Sequence, residues 1–260
     1  MPFELVEEAA AKWKKALEGV EKPWLCWNMN NRWCVLQQKL VAETGWTPVV
    51  GWDPNCGMAC PELIPEAVAI DFNEILQLPV LFVHVPLEFA FLWVEKLAFW
   101  HADMILPRDR MRKAADMFER LKQGEMTAVK SYGGLRNIFR FSHHRYWEVL
   151  GCTTRDASKD QFEKGCGWWR NNVYHQNISP GSKEQLLLKK YYDDHGVGIQ
   201  IWKKHYGGKV HTIREGWIAD GHFSAITCPN YIKGKSKSEE MDLNFDLDKI
   251  ARDFGIDDLL

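Results

Sequence analysis

The chain of 260 residues is 46% hydrophobic, 26% charged and 13% aromatic, which supplies a sizeable core and excludes a disordered or fibrous protein. Its 33 Lys and Arg against 35 Asp and Glu leave a net charge of −2, without the strong cationic field that most nucleic-acid-binding surfaces need. Tryptophan is abundant at 13 residues, matching Phe, and those rings divide between core bulk and contact with flat or sugar-like ligands.

At the N-terminus, acids precede the lysines and no uninterrupted apolar run leads to a small-residue cleavage site, so a secretory signal is not expected. Phe3, Val6, Ala10, Trp13 and Leu17 recur at helical spacing instead, and residues 1–22 are assigned to an N-terminal helix. Pro23 to Asn28 then reads as a short buried strand, Trp33 to Thr44 as a helix closed by Gly45, and Thr47 to Trp52 as a second strand. The Asp53-Pro-Asn-Cys-Gly57 loop follows. A strand–helix–strand unit of this kind builds a parallel sheet whose ligands bind beyond the carboxyl ends of the strands, which places Asn28 and Asp53 at one rim. Pro79 to Val85 is apolar, Pro86 to Glu95 is read as helical, and Lys96 to Trp100 has the length and bulk of a fully buried strand running straight into His101-Ala-Asp103. Pro107 to Lys122 is an amphipathic helix with Met111, Ala114, Met117 and Leu121 on one face and Gly124 as its stop.

Glu125 to Tyr132 and Tyr146 to Cys152 are further strands, and Thr153 to Asn177 reads as a long structured loop region. Ser182 to Tyr192 is a predicted helix, Val197 to His205 another, Lys209 to Glu215 a strand and Asp220 to Ser224 a loop. Residues 233–260 are expected to form a linker and a short acidic C-terminal helix. The most apolar stretch, Pro79 to Leu106, is interrupted by charged residues and histidines and is not expected to span a membrane. The seven cysteines, an odd number without a signal segment, fit reduced thiols in a cytoplasmic setting; Cys56 and Cys60 have no second ligand pair for zinc.

Three clusters carry chemistry: His101-Ala-Asp103, Asp193-Asp194 and Asp220-Gly-His222. A carboxylate at the end of an apolar strand is costly unless it is paired or binds a cation. A divalent ion such as magnesium or manganese would accept Asp103 and His222 and leave positions open for phosphate oxygens.

The order of these clusters resembles the GT-A type glycosyltransferases, in which a short acidic motif ends a central buried strand and holds the metal on the nucleotide diphosphate. Phe99-Trp-His-Ala-Asp-Met-Ile105 matches that motif with His101 in place of its first Asp, leaving Asp103 as its only carboxylate. The resemblance covers roughly Pro23 to Ser224 in element order. It implies a single Rossmann-like mixed central α/β sheet flanked by helices, with residues 23–232 as the nucleotide-sugar-binding and catalytic domain and a short helical tail behind it. It also implies a metal (Mn or Mg) held by Asp103, His222 and His101, and a UDP-sugar or other nucleotide-diphosphate sugar as donor, contacted by Asn28 and Asp53. The acceptor is an unidentified hydroxyl. Transfer with inversion would use Asp194, or Asp193 beside it, as the base that takes the acceptor proton. Trp168, Trp169 and Arg170 form the candidate acceptor platform, an indole face packing on a sugar or base.

Two other readings stand beside it. A nucleotidyltransferase or metal-dependent phosphohydrolase predicts a Gly-rich phosphate loop after the first strand, where the chain has Asn28-Met-Asn-Asn-Arg32. A Trp-rich module binding glycan or nucleic acid gives no reason for Asp103, Asp194 and His222 to converge. Nucleic acid as acceptor, and the oligomeric state, stay open.

Overall fold

The computed structural model describes residues 2–52, 54, 60–77, 85–131, 145–168, 196–223 and 237–260. Among the described residues, seven strands form one mixed sheet in the order β3-β2-β1-β4-β6-β5-β7, flanked by helices. The chain divides into two compact units: one gathers Met1–Lys14, Val83–Leu97 and Leu121–Trp217, the other Lys15–Phe82, Ala98–Arg120 and Ile218–Leu260.

The second unit holds the parallel strands β1 (Pro23–Trp27), β2 (Thr47–Trp52) and β3 (Val68–Asp71), with the end of β4 (Lys96–Trp100). Their registers run Leu25↔Val49, Val50↔Ala69 and Leu25↔Phe99. Every residue of β1 is buried, which explains its uninterrupted apolar run. Helix α2 (Asn31–Ala42) joins β1 to β2. Asn30 caps it, its side chain accepting from Trp33 N, while its amide donates to Ser238 Oγ and Asp242 Oδ2 in α8 (Lys237–Asn244). The helix expected to run to Thr44 ends at Ala42 with Glu43 as its C-cap, and Gly45, at φ +77°, closes the turn that follows. Gly51 has a packing reason: a Cβ there would lie 2.2 Å from the Phe72 ring, which stacks on Trp27 with centroids 5.2 Å apart.

Helix α5 (Arg108–Glu119) buries Met111, Ala114, Ala115 and Phe118. Met117, expected on that face, is half-buried, because Phe118 completes the i, i+3, i+4, i+7 stripe from Met111. The C-terminal part, α8 and α9 (Leu247–Phe254), belongs to this unit, and Arg108 bridges Glu43 at 2.7 Å and Asp258 at 2.6 Å. Trp24 sits edge-on to Trp46, Trp100 and Phe118 with centroids 5.1–5.7 Å apart, an aromatic cluster that accounts for part of the tryptophan excess.

The other unit contains α1 (Phe3–Ala16), α3 (Val85–Glu88), α4 (Ala90–Trp93), β5 (Glu125–Lys130), β6 (Tyr146–Thr154), α6 (Arg155–Glu163), α7 (Val197–His205) and β7 (Lys209–Arg214). Strand β5 runs antiparallel to β6 and parallel to β7. The helix expected from Pro86 to Glu95 is two short helices broken at Phe89. The loop expected from Thr153 onward is a correction: the chain passes from β6 directly into α6. Its buried face is Ala157, Ser158 and Gln161, polar enough to erase the apolar period. The helix expected at Ser182 to Tyr192 lies outside the described residues. No helix among the described residues is long and apolar enough to cross a membrane.

Candidate metal centre

Strand β4 is buried from Leu97 to Trp100 and lies beside β1 with Cys26 opposite Trp100. The chain leaves the strand in a turn closed by Met104 N donating to His101 O at 3.2 Å. Three residues beyond the strand, the Asp103 side chain is 3% exposed. It is met by a distant segment: Met104 and His222 form an antiparallel bridge, Ile105 N donates to Gly221 O at 2.9 Å, and Phe223 N donates to Asp103 O at 3.0 Å. Arg110 on α5 makes a two-pronged bond to Asp220, one prong at 2.7 Å to Oδ2, and so holds the turn before His222.

These backbone bonds bring three side chains together. Asp103 Oδ1 lies 3.7 Å from His101 Nδ1 and 3.5 Å from His222 Nε2, and one ligand atom from each residue lies within 4.8 Å of the others. Two ligands of one ion at about 2.1 Å stand roughly 3 to 4 Å apart, so closure around a cation needs only small side-chain movement. The donor set is two borderline imidazoles and one hard carboxylate, which fits manganese and later first-row ions better than magnesium, a cation that favours oxygen. His101 is the more open ligand, its side chain 31% exposed.

Burial alone would raise the Asp103 carboxyl, but the adjacent His222 and His101 rings outweigh it and hold the group below its ordinary value of 3.8. The sign follows from linkage. A carboxylate whose folded value is depressed contributes stability that is present above the unfolded value and is lost as pH falls through the folded one. The stability gap between wild type and Asp103→Asn, measured by urea unfolding, is therefore expected to narrow as pH drops below that range. A gap that stays constant from about pH 5 to pH 2 would show that the pairing contributes nothing.

Among the other sequence-predicted residues, Asn28 follows β1 at the same carboxyl rim and is 1% exposed, its Nδ2 donating to Asn31 Oδ1 at 3.0 Å. Its Oδ1 has no hydrogen-bond partner among the described residues. Trp168 belongs to the other unit and is 1% exposed; its carbonyl accepts from Gly196 N. Asp53, Trp169, Arg170, Asp193 and Asp194 lie outside the described residues. Asp71, which sequence reading passed over, ends β3 at the parallel rim, but its Oδ1 accepts from Asn73 N at 2.7 Å, a local turn.

No protein-family model matches the chain, and no curated protein matches it. Among solved structures, it is similar to glucosyl-3-phosphoglycerate synthase from Mycobacterium tuberculosis, a structure in complex with Mn2+, uridine diphosphate and phosphoglyceric acid. The similarity covers 79% of this chain and 72% of that one at 9% identity, with a TM-score of 0.39.

Proposed function

We propose that the protein is a metal-assisted glycosyltransferase that moves a sugar from a nucleotide-diphosphate sugar to an acceptor hydroxyl. The observation that carries this reading is the convergence of His101, Asp103 and His222 beyond the carboxyl end of β4, at the rim where parallel sheets bind their ligands. A divalent ion held there would supply positive charge for a departing diphosphate. The buried Asp103 would anchor that ion, and His101 and His222 would complete the ligand set from two separate segments. His101, the most open of the three, would be the ligand that incoming phosphate oxygens reach most easily. Asn28 lies on the same rim, with a buried amide oxygen suited to accept from a nucleotide donor group. Asp194 would take the proton from the acceptor hydroxyl, the role that the resemblance implies for it. Inversion belongs to the same proposal.

A thermal-shift titration tests it. Manganese should raise the melting temperature, and a nucleoside diphosphate such as UDP should raise it further only when manganese is present. Saturation at about 100 times the dissociation constant corresponds to about 2.7 kcal/mol of added stability. If no nucleoside diphosphate or nucleotide sugar shifts the transition, with or without manganese, the reading is wrong. Release of inorganic phosphate from the nucleotide alone would favour the phosphohydrolase reading instead.

A further inference from the structure

Helix α2 carries two adjacent glutamines, Gln37 and Gln38, both 0% exposed. A buried primary amide is costly unless its polar atoms are bonded; the Gln37 Oε1 has no hydrogen-bond partner among the described residues, so what the side chain contributes rests on its NH2 group. Gln37 Nε2 donates to His101 O at 2.7 Å and to Met104 O at 2.8 Å. Those two carbonyls bracket Ala102 and Asp103, so one NH2 group, with its two protons, ties down both ends of the loop that presents the candidate ligands.

We propose that Gln37 is a positioning residue for the metal centre, setting the backbone of the His101–Asp103 loop without touching the ion. This rests on the metal reading above. Where the chain turns off β4, the His101 and Met104 carbonyls are directed toward α2 rather than into the sheet ladder. Only a side chain with two donors on one atom meets both. Methionine at this position would fill the volume, take the Gln37 bond from the Met104 carbonyl and leave the His101 carbonyl with only the longer bond from Met104 N, and the loop would shift to recover partners. His101 and Asp103 would move with it.

Gln38 supplies a matched control. It is equally buried on the same helix, and its amide also bonds backbone, with Nε2 donating to Glu62 O at 2.8 Å and Oε1 accepting from Ile64 N at 3.0 Å. Its partners lie on a different segment, away from the ligand loop in sequence. A residue that merely stabilises the fold would lower stability without a selective effect on metal binding, and the pair separates those outcomes.

The experiment is a manganese titration of the full chain, by calorimetry or electron paramagnetic resonance, alongside urea unfolding. Gln37→Met and Gln38→Met are expected to lower the unfolding midpoint by similar amounts. Manganese affinity should fall about 10- to 100-fold in Gln37→Met, the range seen when a group that orients a ligand is removed, and stay within about 2-fold of wild type in Gln38→Met. Gln37→Asn, which leaves room for water to solvate the two carbonyls, is read in the same way should Gln37→Met not fold. Wild-type affinity in both Gln37 variants overturns the assignment and leaves the metal site standing, as does an equal loss in Gln38→Met. Absence of manganese binding in the wild type overturns the metal site itself and this assignment with it.

Discussion

Asp103→Asn is expected to abolish the manganese-induced rise in melting temperature and to lower nucleotide-sugar turnover by at least about 100-fold, as several kcal/mol of charge stabilisation are lost. The substitution keeps the size of the side chain and its place between His101 and His222, but removes the only carboxylate of the cluster. Two neutral imidazoles without an anionic partner make a far weaker site for a doubly charged ion in an interior position. The comparison is made at saturating donor, with circular dichroism confirming that the variant folds. Undiminished manganese binding and turnover in Asp103→Asn would sink the assignment of this residue. The His101→Asn effect should be smaller, because His101 is the most exposed of the three ligands.

Gly221→Ala carries the second large effect, and its cause is steric. A Cβ at that position would stand 2.3 Å from the Ile105 carbonyl oxygen and 2.7 Å from Leu106 Cδ2. The first contact is backbone, so the segment rather than a rotamer must give way. Gly221 O accepts from Ile105 N, and His222 is the next residue, so the shift both strains that bond and withdraws an imidazole from Asp103. A loss of about 2 to 3 kcal/mol in unfolding free energy is expected, with a parallel fall in manganese affinity. Gly216→Ala is the control: a Cβ there meets nothing within 4 Å, and a surface change of this kind stays within about 0.5 kcal/mol. Wild-type stability in Gly221→Ala would mean that the bridge to residues 104–105 does not fix the position of His222.

The two halves of the candidate site were unequally legible in the sequence. His101 and Asp103 stand out because they follow a five-residue apolar strand, where a carboxylate without a partner is costly. His222 could be named only through the order of motifs, since the bond pattern that folds its segment against residues 103–105 pairs backbone groups and leaves no trace in composition. Gln37 was invisible for a related reason. On a helix of mixed polarity it reads as one more polar residue, and the signal lay in its spacing: Trp33, Gln37 and Val41 fall at i, i+4 and i+8 on the buried stripe. A polar residue in register with core positions has a partner inside. The elements β1, α2 and β2 were readable because β1 and β2 are apolar, buried strands and the turn that follows α2 closes at Gly45. Helix α6 was not, because its buried face is small and polar. Strand β3 has four residues and, among the described residues, only β2 as its hydrogen-bonded neighbour, too little periodicity to register.

The bridge between Met104 and His222 has a topological meaning. The chain leaves one unit after Arg120 and re-enters it at Ile218, so nearly all of Leu121–Trp217 is an excursion into the other unit. Residues 103–110 and 220–223 lie close to the departing and returning ends of that excursion, and they are clasped by the bridge, by the Ile105–Gly221 bond and by the Arg110–Asp220 pair. The ligand set is therefore drawn from two segments of one unit that are far apart in sequence, His101 and Asp103 on one and His222 on the other. The relative position of the ligands is thus set by bonds between residues 103–110 and 220–223 within one unit, and it holds as long as that clasp does.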